Sequence, residues 1–434
     1  MEWASRVGLP TIQLTFCSNL EVAMVEKFSF EMHFDADMIA REVPSQRILE
    51  LVVTPPAAAA SKNRPPLNLA LVIDRSGSMS GEKLGYVKQA AEHVLDLLQA
   101  IDRVTIVAYD TQVTLVSPSM LVTPAARTSL KAGIQSLTSG DMTNLSGGWL
   151  KGCQEVAAVA QEGGLNRVLL LTDGLANHGI TDLEELGMHA GQLLVRGVGT
   201  STFGVGQGFN EHLLEHMANQ GGGRFYYIDK PQSIPQIFEK EFNELAAITA
   251  RNVKILLEIA EGVSSQVLGS WRVDKDGDRM HIWLGDLAAG ARREVYVKLL
   301  TPLAGDRQQL AFTAHAMGQG EKEEQFIEDC EAILVYAPQS QAEAAPVRME
   351  VMQRYSMVEI ADRATEALKL ERAGEKEKAS KLMERSVLMA APYIPQDVAS
   401  EYNKLSDHLR HGMDESTRKD SHQQQYLRKQ GRDK

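Results

Sequence analysis

Between residue 67 and about residue 250 the chain alternates short apolar runs with segments whose apolar residues recur every three or four positions. The runs are LNLALVI (67–73), RVTIVAY (103–109), RVLLLT (167–172), STFGVG (201–206) and RFYYI (224–228). Short apolar runs bounded by turn-forming residues read as strands, and continuous ones as strands buried on both faces. EKLGYVKQAAEHVLDLLQ (82–99) instead places Leu84, Val87, Ala91, Val94 and Leu98 at helical steps. DLEELGMHAGQLLVRG and FNEHLLEHMANQGGG read as further helices that stop at glycine. Strands separated by helices predict an α/β fold with a mostly parallel sheet covered on both faces.

On either side of this unit the period is two. TIQLTFC (11–17), FSFEMHF (28–34) and RILELVV (47–53) precede it, and NVKILLEIA, SWRVDKDGDRMHIWLG, REVYVKLL and QQLAFTAHAM follow. Such alternation predicts half-buried strands, and KDGD (275–278) a hairpin turn. PPAAAASKNRPP (55–66) has no periodicity and reads as a linker. The economical architecture is one β-sandwich, from residues 1–58 and 251–338, interrupted by an α/β domain at 67–250. Residues 345–412 read as helical, with a hairpin folding back at Ala373-Gly374-Glu375. Its small and large apolar residues resemble a single tetratricopeptide-type hairpin, which one copy could stabilise only by packing on its own chain. The tail 413–434, DESTRKDSHQQQYLRKQGRDK in its main part, is polar and expected to be disordered.

At 434 residues the chain exceeds a single ordinary core. A formal net charge of −12 argues against nonspecific nucleic-acid binding and against adhesion to anionic membranes. The three cysteines, Cys17, Cys153 and Cys330, lie far apart, which suits neither a disulfide framework nor a zinc site and fits a reducing compartment. The N-terminus lacks a signal-peptide pattern, and no stretch approaches the ~20 apolar residues of a membrane span. A cytoplasmic location is expected.

Three loops carry the chemistry. LALVIDRSGSMSGEK (69–83) delivers Asp74, Ser76 and Ser78 directly after a buried strand; GDMTNLSGG (140–148) presents Thr143; LLLTDGLANHG (169–179) presents Asp173. Ligands of parallel sheets bind outside the carboxyl ends of the strands, where these loops can converge. Two carboxylates and three hydroxyls are hard oxygen donors, suited to Mg²⁺, Mn²⁺ or Ca²⁺ rather than zinc or copper. A dication held this way keeps room for one more carboxylate, supplied from outside. The competing readings are weaker. As caps and turns alone, the three loops would align by accident. GSMSGEK departs from the phosphate-loop spacing, and an aspartyl-phosphate site would need an acid where Ser76 stands. HLLEH (212–216) matches the H-x-x-E-H pattern of inverted zinc proteases, but no third ligand is identifiable, and Leu213, Leu214 and Met217 suit an amphipathic helix whose histidines face water.

The segment 67–250 closely resembles a von Willebrand factor A domain with a metal-ion-dependent adhesion site. DRSGS is similar to that family's D-x-S-x-S, TNLSGG to its threonine loop and TDG to its second aspartate. The resemblance implies a Rossmann-like α/β fold in which Ser76, Ser78 and Thr143 hold Mg²⁺ directly or through water, while Asp74 and Asp173 act largely through water. It also implies a coordination position filled by a partner's Glu or Asp. The surrounding β segments and helices look like bacterial intracellular members of the family. Asp141-Met142 departs from the glycines common before the threonine. Asp110 and His178 are expected near the site as solvated loop residues, and Cys153 as a small buried apolar residue. The expectation is a non-enzymatic adaptor or scaffold that captures an acidic partner residue through the metal. The alternative is a metal-dependent hydrolase, either a zinc protease through residues 212–216 or a phosphohydrolase.

Overall fold

The computed structural model describes residues 28–57, 64–160, 164–173, 175–320 and 324–431. The strand expected at 11–17, and Cys17 with it, lie outside the described residues. The chain opens with strands β1 (Ser29–Phe34), β2 (Met38–Ala40) and β3 (Gln46–Thr54). The α/β unit follows: β4 (Leu67–Asp74), α1 (Glu82–Leu97), β5 (Arg103–Tyr109), β6 (Val113–Leu121), α2 (Pro124–Gln135) and α3 (Leu145–Ala158). It continues through β7 (Leu165–Thr172), α4 (Leu183–Val195), β8 (Val198–Val205), α5 (Glu211–Gln220), β9 (Gly222–Ile228) and α6 (Ile234–Ala246).

These strands form one sheet in the order β6-β5-β4-β7-β8-β9, parallel except for β6 against β5. The central strands alternate between two cores. Leu69, Leu71 and Ile73 of β4 join the α1 and α6 side, while Ala70 and Val72 join the α3, α4 and α5 side. Burial on both faces is why these strands read as unbroken apolar runs. The antiparallel edge strand β6 escapes that reading because most of it is exposed or half-buried and carries a proline.

The strand-only texture then returns in β10 (Ile248–Glu258), β11 (Ser264–Val267), β12 (Arg272–Asp276), β13 (Arg279–Ala288), β14 (Arg293–Leu300), β15 (Gln309–Gly320) and β16 (Gln325–Ala337). N-terminal and later strands interleave in two sheets, β1-β3-β14-β11 and β12-β13-β10-β15-β16-β2. Their facing residues share one core, including Phe30, Leu49 and Leu51 from the first and Ile255, Ile282 and Phe312 from the second. The α/β unit leaves this sandwich after β3 and returns at β10. Arg167 of β7, 4% exposed in its side chain, pins it there through Asp286 of β13 at 3.1 Å.

The C-terminal region bears out the helical reading and corrects one expectation. After the short α7 (Gln339–Glu343), α8 (Met349–Arg372) and α9 (Lys376–Ala390) form the expected hairpin, and α10 (Gln396–His411) and α11 (Glu415–Lys429) extend it. The first turn falls at Gly374, φ +84°, where a left-handed residue is needed. The tail expected to be disordered is α11, which lies against α5 and β9 of the α/β domain. Its polar residues are not a solvated face. Lys419, His422 and Lys429 are buried against acids of α5, beside the apolar contacts that Tyr426 and Leu427 make with the domain core.

Candidate metal-binding edge of the sheet

Asp74 ends β4 and is fully buried, as is Asp173 immediately after β7. Asp74 is held from two sides. Its Oδ1 accepts a bond from the Ser76 backbone N–H at 2.8 Å, and its Oδ2 accepts from the Thr172 hydroxyl at 2.5 Å. Ser76 Oγ lies 3.2 Å from Ser78 Oγ, and the Ser78 hydroxyl donates to Asp173 Oδ1 at 2.9 Å. Asp74, Ser76, Ser78 and Asp173 therefore form one connected polar cluster. Lys83, in the first turn of α1, completes it with its ammonium against Asp173 Oδ2.

Thr143 reaches the same edge on a separately anchored loop. Its backbone N–H donates to Asn177 Oδ1 at 2.8 Å, and its carbonyl accepts from the N–H groups of Asn177 and His178 at 3.2 and 3.3 Å. The 140–144 loop is stitched to the first by Gly77 N–H to Asp141 O at 2.7 Å and Gly140 N–H to Arg75 O at 2.6 Å. Arg75 also pairs with Asp110 at 3.1 Å, so Asp110 is a buried brace between loops rather than the solvated residue expected. His178 is exposed and Cys153 is buried on α3, both as expected. Asp141 is exposed and enters the network through its carbonyl oxygen.

Beneath the edge the fully buried Tyr109 packs on α3. A Cβ at Gly148 would lie 2.3 Å from Tyr109 Cδ1, so the close seat of the helix that follows Thr143 requires glycine. Burial pushes the Asp74 carboxyl above its ordinary range, against the Thr172 and Ser76 bonds that stabilise the anion, and nearby Asp173 adds to the rise. Burial and the adjacent Asp74 likewise push the Tyr109 hydroxyl far up.

Among the described residues no group of three or more His, Cys, Asp or Glu side chains is placed to hold a metal. A cation at the sheet edge must therefore use hydroxyls beside the two aspartates, as the donor set there offers. HLLEH corrects another expectation. His212 and His216 are half-buried rather than facing open water, with His212 edge-on to His422 of α11 at 4.8 Å. Glu215 is spoken for by Lys429 Nζ and Ser270 Oγ, each at 2.9 Å, and by His422 Nε2 at 2.6 Å. Thr172, Lys83 and Asn177 were missed by sequence reasoning. Thr172 stands next to Asp173 at the strand end and carried a usable signal, whereas Lys83 reads as an ordinary surface residue of a helix start.

The model of the von Willebrand factor type A domain matches residues 68–240. Among curated relatives, Synechocystis sp. protein sll0103 is 33% identical over 227 residues, 52% of this chain and 52% of its own length. YfbK of Escherichia coli is 31% identical over 46% of this chain and 34% of its own. The rat inter-alpha-trypsin inhibitor heavy chain H3 is 28% identical over 44% of this chain and 22% of its own. The chain thus spans about half or less of the length of these relatives. In fold, a von Willebrand factor type A structure from Catenulispora acidiphila aligns with a TM-score of 0.71 at 17% identity, covering 96% of this chain and 99% of its own. The ArnB paralog VWA2 from Sulfolobus acidocaldarius aligns at 0.62 and 16% identity, covering 94% and 99%. Domain model and fold agree: residues 68–240 match the von Willebrand factor type A domain, and the chain has that domain's Rossmann-like α/β fold, a mostly parallel sheet flanked by helices.

Proposed function

We propose that this protein is a divalent-metal-dependent protein-binding module, an adaptor whose α/β domain captures an acidic residue of a partner. The observation that carries the reading is the Lys83 ammonium on Asp173. A cation from the chain itself already sits where two fully buried carboxylates converge, and one monovalent charge leaves their repulsion only partly relieved. The donor set fits Mg²⁺, with Mn²⁺ or Ca²⁺ as alternatives: Ser76, Ser78 and Thr143 would hold it, with Asp74 and Asp173 beside them. When bound, the metal supplies an electrophilic position for a Glu or Asp carboxylate of the partner. The chain's own residues do the rest. Thr172 and the Ser76 N–H aim Asp74, Asn177 sets the Thr143 loop, and Arg75 with Asp110 keeps the loops in register.

This module assigns no catalytic residue, and HLLEH serves as part of the seam with α11. Among the described residues no helix is long and apolar enough to cross a membrane; the cytoplasmic setting rests on the sparse, widely spaced cysteines, of which Cys153 and Cys330 are free thiols. The test is Mn²⁺ binding followed by electron spin resonance, with Mg²⁺ competition, in the full chain. Binding should vanish in Asp74→Ala and Thr143→Ala while circular dichroism stays unchanged, and partner capture should stop with EDTA. Binding retained in both variants would remove the site, and capture indifferent to EDTA would remove the bridge.

A further inference from the structure

The loop that closes the metal edge is also the loop that the C-terminal helix grips. Residues 206–210 join β8 to α5. A Cβ at Gly208 would lie 2.6 Å from the Asp173 carbonyl oxygen, and one at Gly206 would lie 3.7 Å from Lys83 Cε. One residue on, the Phe209 carbonyl accepts a 2.7 Å bond from Lys419 Nζ of α11. The same ammonium lies 3.7 Å from the centre of the Phe209 ring and 2.9 Å from Glu211 Oε2. Arg372 of α8 adds a second cation on Glu211 Oε1 at 2.6 Å. Within four residues the backbone passes from contact with Asp173 to contact with the C-terminal helices.

The character of the α11 seam bears on what it does. Tyr426 and Leu427 are its main apolar contributions, while Lys419, His422 and Lys429 are buried polar groups. Burying paired charge adds little net stability but penalises any docking that leaves a charge unmatched. Such a seam holds the helix in one register without fusing it permanently to the domain.

We propose that docking of α11 and cation binding at the Asp74–Asp173 edge are coupled through residues 206–210. With α11 seated, Lys419 holds Phe209 and Glu211 in place, Gly208 stays against Asp173, and the edge is pre-organised for the cation. With α11 released the loop relaxes and the edge binds more weakly. The coupling is reciprocal, so a cation at the edge also tightens α11. This inference rests on the metal-binding reading above.

The experiment uses the full chain, with Lys419→Met and a control, Lys381→Met, in an exposed pair on α9. Without metal, amide hydrogen exchange over 206–211 should accelerate in Lys419→Met and not in the control. Calorimetric titration with Mg²⁺ should show affinity about tenfold weaker in Lys419→Met, within the usual range of allosteric coupling. Added Mg²⁺ should slow exchange across 415–429 in the unaltered protein. Where Lys419→Met does not fold, Arg372→Gln decides, and it should move the same readouts by less. Unchanged Mg²⁺ affinity in a folded variant whose α11 exchanges freely would overturn the coupling and leave the metal site standing. Absence of Mg²⁺ binding in the unaltered protein would overturn both.

Discussion

Two clusters of buried charge sit on the same α/β domain, and their composition separates them. At the α5–α11 seam Glu211 and Glu215 are 2% and 6% exposed, and the chain answers them with Lys419, Lys429, His422 and Arg372. At the sheet edge Asp74 and Asp173 are fully buried, and among the described residues the ion pair there is Lys83 on Asp173, with the lysine side chain 38% exposed. The carboxyl groups respond in opposite directions. Burial alone would push Glu215 up, yet Lys429 and His422 hold it well below the usual carboxylate range. Burial pushes Asp74 up, and its carboxylate neighbour pushes it further. A cluster neutralised from within serves the fold; a cluster left short of positive charge is what the proposed cation site requires.

The largest expected effect tests the first half of that contrast. Glu215→Ala removes the acid that Lys429, His422 and Ser270 share, and leaves a lysine 4% exposed without its partner. Breaking a buried pair from one side typically costs about 3–5 kcal/mol. Urea unfolding of Glu215→Ala should show a loss of that order, with α11 exchanging freely. A loss below about 1 kcal/mol would make the seam an ordinary surface contact.

Acid should weaken the seam next. Burial and the neighbouring His422 lower the pKa of His212 to about 3, and Lys369 lowers it further while Glu211 and Glu215 oppose. Burial raises Glu211, but Lys419 and Arg372 outweigh it and bring its pKa to about 2. Both groups are depressed on folding. Their contribution is complete above the unfolded values, 6.5 for His212 and 4.5 for Glu211, and is lost as pH falls through the window towards the folded ones. Asp74 has the reverse sign, because a raised carboxyl gains stability on acidification. Between about pH 7 and pH 5 the seam should lose on the order of 1–2 kcal/mol. Hydrogen exchange corrected for intrinsic rates should show α5 and α11 opening before β4 and β7; simultaneous opening would erase the distinction.

The edge has its own structural demand, set by shape rather than charge. In Gly148→Ala the new methyl would meet the Tyr109 ring, itself fully buried. Overpacking of this kind costs about 1–3 kcal/mol. Because α3 begins just after Thr143, the variant should also lose metal binding. Thermal unfolding and Mn²⁺ titration together check it.

The same contrast explains what could be read from the chain. Asp74 and Asp173 were legible because each follows a run of apolar residues that burial on both faces makes continuous. No periodicity marks Thr143, which was read from the hydroxyl its loop offers on the same side of the sheet. The seam was illegible. α11 has no apolar stripe, and its lysines and histidine look solvated until the fold brings Glu211 and Glu215 against them. Lys83 was hidden for a related reason: a lysine in a first helical turn has no local signature of the distant acid it touches.

Asp173→Asn should have the smallest effect on stability and the sharpest effect on binding. The amide keeps the shape of the carboxylate and can still accept the Ser78 hydroxyl bond. Lys83 loses its counter-charge, but a partly exposed lysine rehydrates, and such pairs contribute about 0–1 kcal/mol. Asp74 meanwhile loses the like charge that raises it. These terms oppose one another, so the unfolding free energy should stay within about 1 kcal/mol of the unaltered protein. Mn²⁺ affinity should nevertheless fall by at least roughly 10–100-fold, the loss usual when a group that orients metal ligands is removed. Loss of several kcal/mol would place Asp173 with Glu215 as a structural anion, and the edge would no longer differ in kind from the seam.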